Sequence, residues 1–122
     1  MKLRLRGNSI RIRLSQSEVA ALGEGQMITD QITFPAGNSL CFQLTSDDAY
    51  RASFAEETVL ITVPKLAIQQ WVPSEELSLS YDLPLSNGKN LLVLIEKDLQ
   101  CRTERPIEDD SDAFPNPIKE KC

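Results

Sequence analysis

Two short runs near the N-terminus alternate strictly between apolar and polar residues, and they constrain the fold more than any other feature of the chain. The first run covers residues 2–6, the second covers residues 9–14, and Gly7-Asn8 lies between them. Alternation with a period of two is typical of a half-buried strand. A Gly-Asn pair between two such runs is typical of a two-residue hairpin turn. The chain is therefore expected to begin with an antiparallel β-hairpin.

This hairpin is expected to carry all of its cations on one face. Pairing outward from the turn places Leu5 opposite Ile10 and Arg4 opposite Arg11, so the other face is apolar. Like charges directly opposite each other destabilise a sheet, and an anionic group is expected beside them. Three interpretations stay open: a solvated outer face, an internal partner in the form of the acidic tail folding back over it, or an external anion such as a phosphate, a nucleotide or an acidic protein. The candidate anion- or partner-binding cations are Lys2, Arg4, Arg6, Arg11 and Arg13.

Composition narrows the classes of function. The 122 residues are enough for one domain with its own core, and the net charge of −5 argues against general nucleic-acid binding. The chain has no histidine, which excludes Ser-His-Asp chemistry and every metal site that contains histidine. No apolar run reaches the roughly 18 residues of a membrane span. We expect a cytoplasmic protein with no membrane partner and no cofactor.

The rest of the chain predicts further short elements. Ser15-Gln16-Ser17-Glu18 is a capping box, so a helix is expected over residues 16–22. A second short helix is expected after Pro64, and β patterns recur over residues 31–34, 39–45, 50–54, 58–63, 77–83 and 90–98. No internal repeat is evident. The predicted fold class is α+β, with a mostly antiparallel, strongly curved sheet or partly closed β-barrel and two short helices.

The composition changes near residue 100, which predicts a single β-rich domain over residues 1–100 and an acidic, proline-containing C-terminal tail over residues 101–122. Residues 96–112 hold seven acids and three bases, whereas residues 1–13 hold five cations and no acid. Phe114, beside prolines in this tail, is a candidate hydrophobic anchor for a partner or for the parent domain. Weak candidates for a metal site are Glu96, Asp98, Cys101 and Cys122.

Two segments carry a resemblance to a known group of proteins. The N-terminal stretch KLRLRGNSIR and the C-terminal pattern LIEKD, then Cys101, then EDDSDAFPNP, resemble a small uncharacterised family of bacterial proteins. The resemblance covers essentially the whole chain and implies a free-standing bacterial protein. It implies no activity and assigns no catalytic role to any residue.

Two classes of function follow from these patterns. The first is a non-catalytic binding module that uses the basic hairpin face and the acidic Phe-Pro tail. The alternative is a binder or hydrolase of a phosphorylated small molecule, of polyphosphate or nucleotide type, with a metal held by carboxylates. Cations on a convex outer face favour the first class, and cations that point into a concave pocket favour the second.

Overall fold

The computed structural model describes residues 1–99, which form a β-rich α+β fold with two helices. The strands and helices within these residues are β1 (Lys2–Arg6), β2 (Ser9–Leu14), α1 (Gln16–Gly23), β3 (Ile28–Thr33), β4 (Ser39–Asp47), β5 (Arg51–Ala55), β6 (Thr58–Pro64), α2 (Lys65–Trp71), β7 (Ser78–Pro84) and β8 (Asn90–Lys97). The chain order of these elements is the one that the sequence patterns predict.

The eight strands divide between two separate four-stranded sheets. Sheet 1 has the order β1-β2-β8-β7, and sheet 2 has the order β3-β4-β6-β5. Four of the strand pairings are antiparallel, but β2 pairs with β8, and β4 with β6, in parallel. The expected single curved sheet or partly closed barrel is not confirmed, since the two mixed sheets do not close into a barrel. The reason is that α1 leads the chain from β2 into sheet 2, and β2 is left to pair with the distant β8.

The N-terminal hairpin has the predicted register. Leu3 lies opposite Ile12 and Arg4 opposite Arg11, with Gly7 at a φ of 56° in the turn. The α1 capping box is confirmed as well: the Ser15 hydroxyl accepts from the Glu18 amide at 3.3 Å, and the Ser15 amide donates to the Glu18 carboxylate at 2.9 Å. Local signals therefore determine this part of the fold. Within residues 1–99, no helix has the length and apolar character needed to cross a membrane.

The core lies between the inner faces of the two sheets and the helices. Ile12 of sheet 1 and Ile61 of sheet 2 are 1% and 2% exposed, and both belong to one cluster of buried side chains. Val19 and Trp71, from α1 and α2, complete it. The apolar face of the N-terminal hairpin predicts that Leu5 packs in this core, and that prediction is wrong: its side chain, at the turn end of β1, is 61% exposed.

The described chain is built from two halves with the same sequence of elements: hairpin, helix, hairpin. Residues 2–22 correspond to residues 51–71, and residues 28–47 correspond to residues 79–98. When the two halves are exchanged, every strand pairing maps onto another pairing with the same register. For example, the parallel pair Ile12–Ile95 corresponds to Ile61–Leu44. The mapping exchanges sheet 1 with sheet 2, as an approximate twofold axis would.

The two helices meet at this approximate axis. Gly23 and Val72 are equivalent positions, and a Cβ built on Gly23 would lie 3.3 Å from a Val72 methyl. Two equivalent residues in contact with each other must lie close to the axis that relates them. The repeat is invisible in the sequence because only four aligned pairs share a residue: Ile12/Ile61, Gly37/Gly88, Leu40/Leu91 and Asp47/Asp98. The expectation of no internal repeat is therefore wrong at the level of structure.

Candidate functional site

Five cations lie together on the outer face of sheet 1, as the alternation predicts; we call this surface the basic face. It consists of Lys2, Arg4, Arg6, Arg11 and Arg13. Arg4 lies directly opposite Arg11 in the antiparallel ladder, and Lys2 opposite Arg13. The neighbouring residues Leu3 and Ile12 point to the core side, which fixes the orientation of both strands.

The first anion beside these cations is Glu96 of β8. The parallel ladder places Arg13 directly beside Glu96. Arg11 makes a two-point contact with the Glu96 carboxylate, with Nε on one oxygen and Nη2 3.1 Å from the other. Arg13 Nε lies 3.5 Å from the carboxylate. The hydrogen bonds from Arg11, together with the charges of both arginines, hold the pKa of the Glu96 carboxyl below its ordinary value, although partial burial opposes them.

Two more acids neutralise the N-terminal end of the hairpin. Lys2 Nζ lies 2.8 Å from an oxygen of Asp98, and the ammonium group of Met1 lies 2.5 Å from Glu18. Partial burial works to raise the pKa of Glu18, but the Met1 ammonium and the contacts with Ser15 outweigh it, so the pKa is lowered. The same carboxylate therefore caps α1 and fixes the chain terminus, a role that the sequence analysis did not assign to it.

Arg4 and Arg6 differ from the other cations of the basic face. Both are exposed, and neither forms an ion pair with any residue of the described range 1–99. The Arg6 carbonyl accepts a hydrogen bond from Ser9 at 2.6 Å, which tightens the turn and leaves the guanidinium uninvolved. Leu5, between the two arginines in sequence, is exposed on the opposite face of the strand. The turn-proximal part of β1 is thus charged and exposed within the described part of the chain.

Two of the weak metal-site candidates, both carboxylates, are in contact with cations. Glu96 binds Arg11 and Arg13, and Asp98 binds Lys2. Among residues 1–99, no three acidic or thiol side chains come together in a way that would hold a metal ion. The remaining candidates, Phe114, Cys101 and Cys122, lie outside the described residues.

The internal duplication supplies a control for the basic face. In the second half, the positions equivalent to Arg4, Arg6, Arg11 and Arg13 are occupied by Ser53, Ala55, Leu60 and Thr62. The position of Glu96 is taken by Thr45. The same backbone therefore forms twice, once with a charged outer face and once with a nearly neutral one. The arginines are not a requirement of the fold.

One ion pair recurs in both halves. Arg51 Nη2 lies 3.3 Å from Asp47, and these residues correspond to Lys2 and Asp98. In each half a cation at the start of an edge strand meets an aspartate at the end of the strand two places away in the same sheet. This pair therefore belongs to the common architecture, whereas Arg4, Arg6, Arg11, Arg13 and Glu96 are particular to sheet 1.

The counterpart of the basic face is an open cavity of about 380 Å³ on sheet 2. Its lining includes Thr45, Ser53 and Thr62 of sheet 2, and also Leu83 and Pro84 of β7, which belongs to sheet 1. The cations of sheet 1 do not line this cavity. Their surface is the outer face of a sheet, which is the arrangement that the sequence analysis associated with a binding module.

Comparison with known proteins places the chain in a family without assigning it an activity. Residues 1–118 match the family of unknown function (DUF7009), and the chain belongs to that family. The expected membership of an uncharacterised family is confirmed. A search of curated proteins finds no match.

Proposed function

We propose that this protein is a non-catalytic binding module that uses its basic face to contact an acidic partner. The observation that carries the proposal is the difference between the two halves: four arginines occupy positions where the second half folds with Ser53, Ala55, Leu60 and Thr62. Clustered like charges on one sheet face are unfavourable for folding. A partner that makes use of them accounts for their presence.

Arg4 and Arg6 are the residues that contact the partner in this proposal, and Arg11 and Arg13 support them. The carboxylate of Glu96 holds the guanidinium groups of the latter two in place on β2, next to β1. An acidic group that reaches Arg4 also lies beside Arg11, its cross-strand neighbour. Guanidinium groups suit carboxylate and phosphate oxygens because their donors form a planar fork.

The C-terminal tail over residues 101–122 is the second part of the proposal. Phe114 would contribute an apolar contact to the partner, in addition to the charge contacts of the basic face. The protein acts in the cytoplasm without a cofactor, and residues 1–100 function as one domain.

The test is a titration of the ¹⁵N-labelled full chain with an acidic heptapeptide of glutamates, followed by NMR at low and at physiological salt. The test variant is Arg4→Ser with Arg6→Ala, because Ser53 and Ala55 occupy the equivalent positions in the second half. The matched control is Lys65→Ser with Lys89→Ala, which removes two exposed cations outside the basic face. Both variants change the net charge by the same amount, from −5 to −7.

We expect shifts at Arg4, Arg6 and Arg11 in the native protein and in the control, and affinity at least about tenfold lower in the test variant. Equal loss in both variants would mean that only net charge matters, and the proposal would fail. Inorganic triphosphate is titrated in parallel. Saturable triphosphate binding at the basic face, without peptide binding, would favour the small-molecule alternative instead.

A further inference from the structure

The basic face ends at a strand edge that has no partner in the described part of the chain. β1 is the first strand in the order β1-β2-β8-β7, and its outer edge pairs with no strand of residues 1–99. Its three cations alternate with Leu3 and Leu5, which lie on the opposite face. An exposed strand edge presents a row of backbone donors and acceptors that can pair with another chain. The edge therefore offers hydrogen bonds and charges to the same ligand.

The start of β5, the equivalent strand in the second half, has a contact that the start of β1 lacks. The Tyr81 hydroxyl lies 3.4 Å from the carbonyl of Arg51, the first residue of the edge strand β5, and 3.3 Å from the Thr62 carbonyl. Tyr50 packs on Tyr81 with ring centroids 4.4 Å apart. In the first half, the position of Tyr81 is Asp30. An ionised carboxylate cannot donate to a strand carbonyl, so Asp30 makes no equivalent contact at the start of β1.

The side chains of β1 define what can occupy this edge. A second copy is disfavoured, because antiparallel pairing of two β1 edges would bring cations opposite cations. An incoming strand must place acidic side chains beside Arg4 and Arg6. On its other face it can bury the Leu5 side chain, which is 61% exposed. Acidic and apolar residues must alternate in such a strand because neighbouring side chains point to opposite faces.

We propose that β1 accepts an additional strand from a partner protein, namely an extended acidic segment in which acidic and apolar residues alternate. This inference rests on the proposed function and specifies its mode: the partner joins sheet 1 as a fifth strand, through its backbone as well as its charges. Strand addition of this kind draws affinity from main-chain hydrogen bonds and specificity from alternate side chains.

The experiment separates strand addition from simple charge contact. The probe is the peptide Glu-Val-Glu-Val-Glu-Val-Glu, and its control is Glu-Glu-Glu-Val-Val-Val-Glu, which has the same composition without the alternation. Two further versions of the probe carry N-methyl groups, one on every Glu nitrogen and the other on every Val nitrogen. Binding to the full chain is measured by calorimetry, and amide hydrogen exchange of residues 2–6 is measured by NMR.

We expect the alternating peptide to bind about tenfold or more tightly than its rearranged control. One of the two methylated versions should lose binding while the other keeps it, because only every second amide of an added strand faces the edge. Exchange should slow at alternate amides of β1. The variant with Arg4→Ser and Arg6→Ala should lose the preference for the alternating peptide, whereas the variant with Lys65→Ser and Lys89→Ala should keep it.

Three outcomes would overturn the inference. If all four peptides bind equally and depend on Arg4 and Arg6, the basic face binds acids without strand addition, and only the proposed function survives. If no acidic peptide binds in a way that depends on these arginines, both proposals fall. If β1 amides are already protected in the peptide-free chain, the edge has another occupant. Protection independent of concentration indicates a segment of the same chain, and protection that rises with concentration indicates a second copy.

Discussion

Glu96 shows how one carboxylate makes a cluster of cations compatible with folding. It accepts hydrogen bonds from Arg11 and lies 3.5 Å from Arg13, while about a fifth of its side chain remains exposed. Removing one charged residue from such a group leaves the remaining charges without an opposite charge. This lowers the free energy of unfolding more than replacing the whole group by uncharged residues does. Thr45, Leu60 and Thr62 fill the three equivalent positions in the second half, so the chain contains its own uncharged version of this group.

The first prediction compares these two ways of changing the group. Glu96→Gln should lower the free energy of unfolding by about 1–2 kcal/mol, because Arg11 and Arg13 keep their charges and lose their acceptor. The triple variant Arg11→Leu, Arg13→Thr, Glu96→Thr should stay within about 0.5 kcal/mol of the native protein. Urea denaturation at neutral pH measures both values. A triple variant less stable than the single variant would contradict the argument from duplication.

The second prediction concerns acid. Because the folded-state pKa of Glu96 is lowered, this carboxylate contributes stability above its unfolded-state pKa of about 4.5, and the contribution is lost as the pH falls through the folded-state pKa. The native protein should therefore lose more stability than the triple variant between about pH 5 and pH 3. Glu18 also has a lowered pKa, but it is present in both proteins, so its contribution to the pH dependence cancels when the two are compared. If the urea midpoints of the native protein and the triple variant fell by the same amount over this pH range, Glu96 would not be the source of the acid sensitivity.

For the helices and strands, local sequence signals predicted the individual elements well. They did not predict the pairing of strands that are far apart in the sequence. The turn at Gly7-Asn8 and the cap at Ser15 involve residues a few positions apart, and both predictions are confirmed. The parallel pairing of β2 with β8 joins residues more than 80 positions apart, and no local pattern encodes it. For the same reason the contact between Glu96 and Arg11 is not predictable from the sequence, since it exists only after this pairing forms.

The helices illustrate an interaction that depends on the duplication. Gly23 ends α1, and Val72 follows α2 at the equivalent position. Alanine favours a helix over glycine by about 0.5–1 kcal/mol, but the new methyl group would lie 3.3 and 3.4 Å from the two Val72 methyl groups. The residue type at one position therefore limits the residue type at the other.

The third prediction is a coupling between these two positions. The change Gly23→Ala should be more favourable by about 0.5–1 kcal/mol in the Val72→Ala background than in the native protein, because the valine methyl groups are then absent. Chemical denaturation of the native protein, both single variants and the double variant gives this coupling energy. If the stability effects of the two single variants add to that of the double variant within about 0.3 kcal/mol, the two positions are not coupled. The ends of the helices would then move apart to accept the new methyl group without loss of stability.

For the molecule as a whole, the distribution of strands between sheets means that neither half is a structural unit. Sheet 1 combines β1 and β2 with β7 and β8, and sheet 2 combines β3 and β4 with β5 and β6. Both parallel ladders join strands from different halves. A half on its own keeps two hairpins and one helix and loses both central ladders. Isolated two-stranded hairpins are at best marginally stable in water.

The fourth prediction follows from this arrangement. A break between Asp48 and Ala49 lies between β4 and β5, so the fragments 1–48 and 49–122 each contain intact elements. Alone, neither fragment should show a cooperative unfolding transition, since the buried partners of Ile12 and Leu44 lie in the other fragment. Mixed at equal concentration, they should form a one-to-one complex whose hairpin NMR shifts match those of the intact chain.

The stability of that complex should rise with concentration, because folding has become a bimolecular reaction. The variant Ile61→Ala in the second fragment is the control: its side chain is 2% exposed in the core, and its loss should weaken the complex by about 2–5 kcal/mol. A fragment 1–48 that folds cooperatively as a monomer would contradict the prediction. The two parallel ladders would then contribute little to stability, and the halves would be separate domains rather than two parts of one interleaved fold.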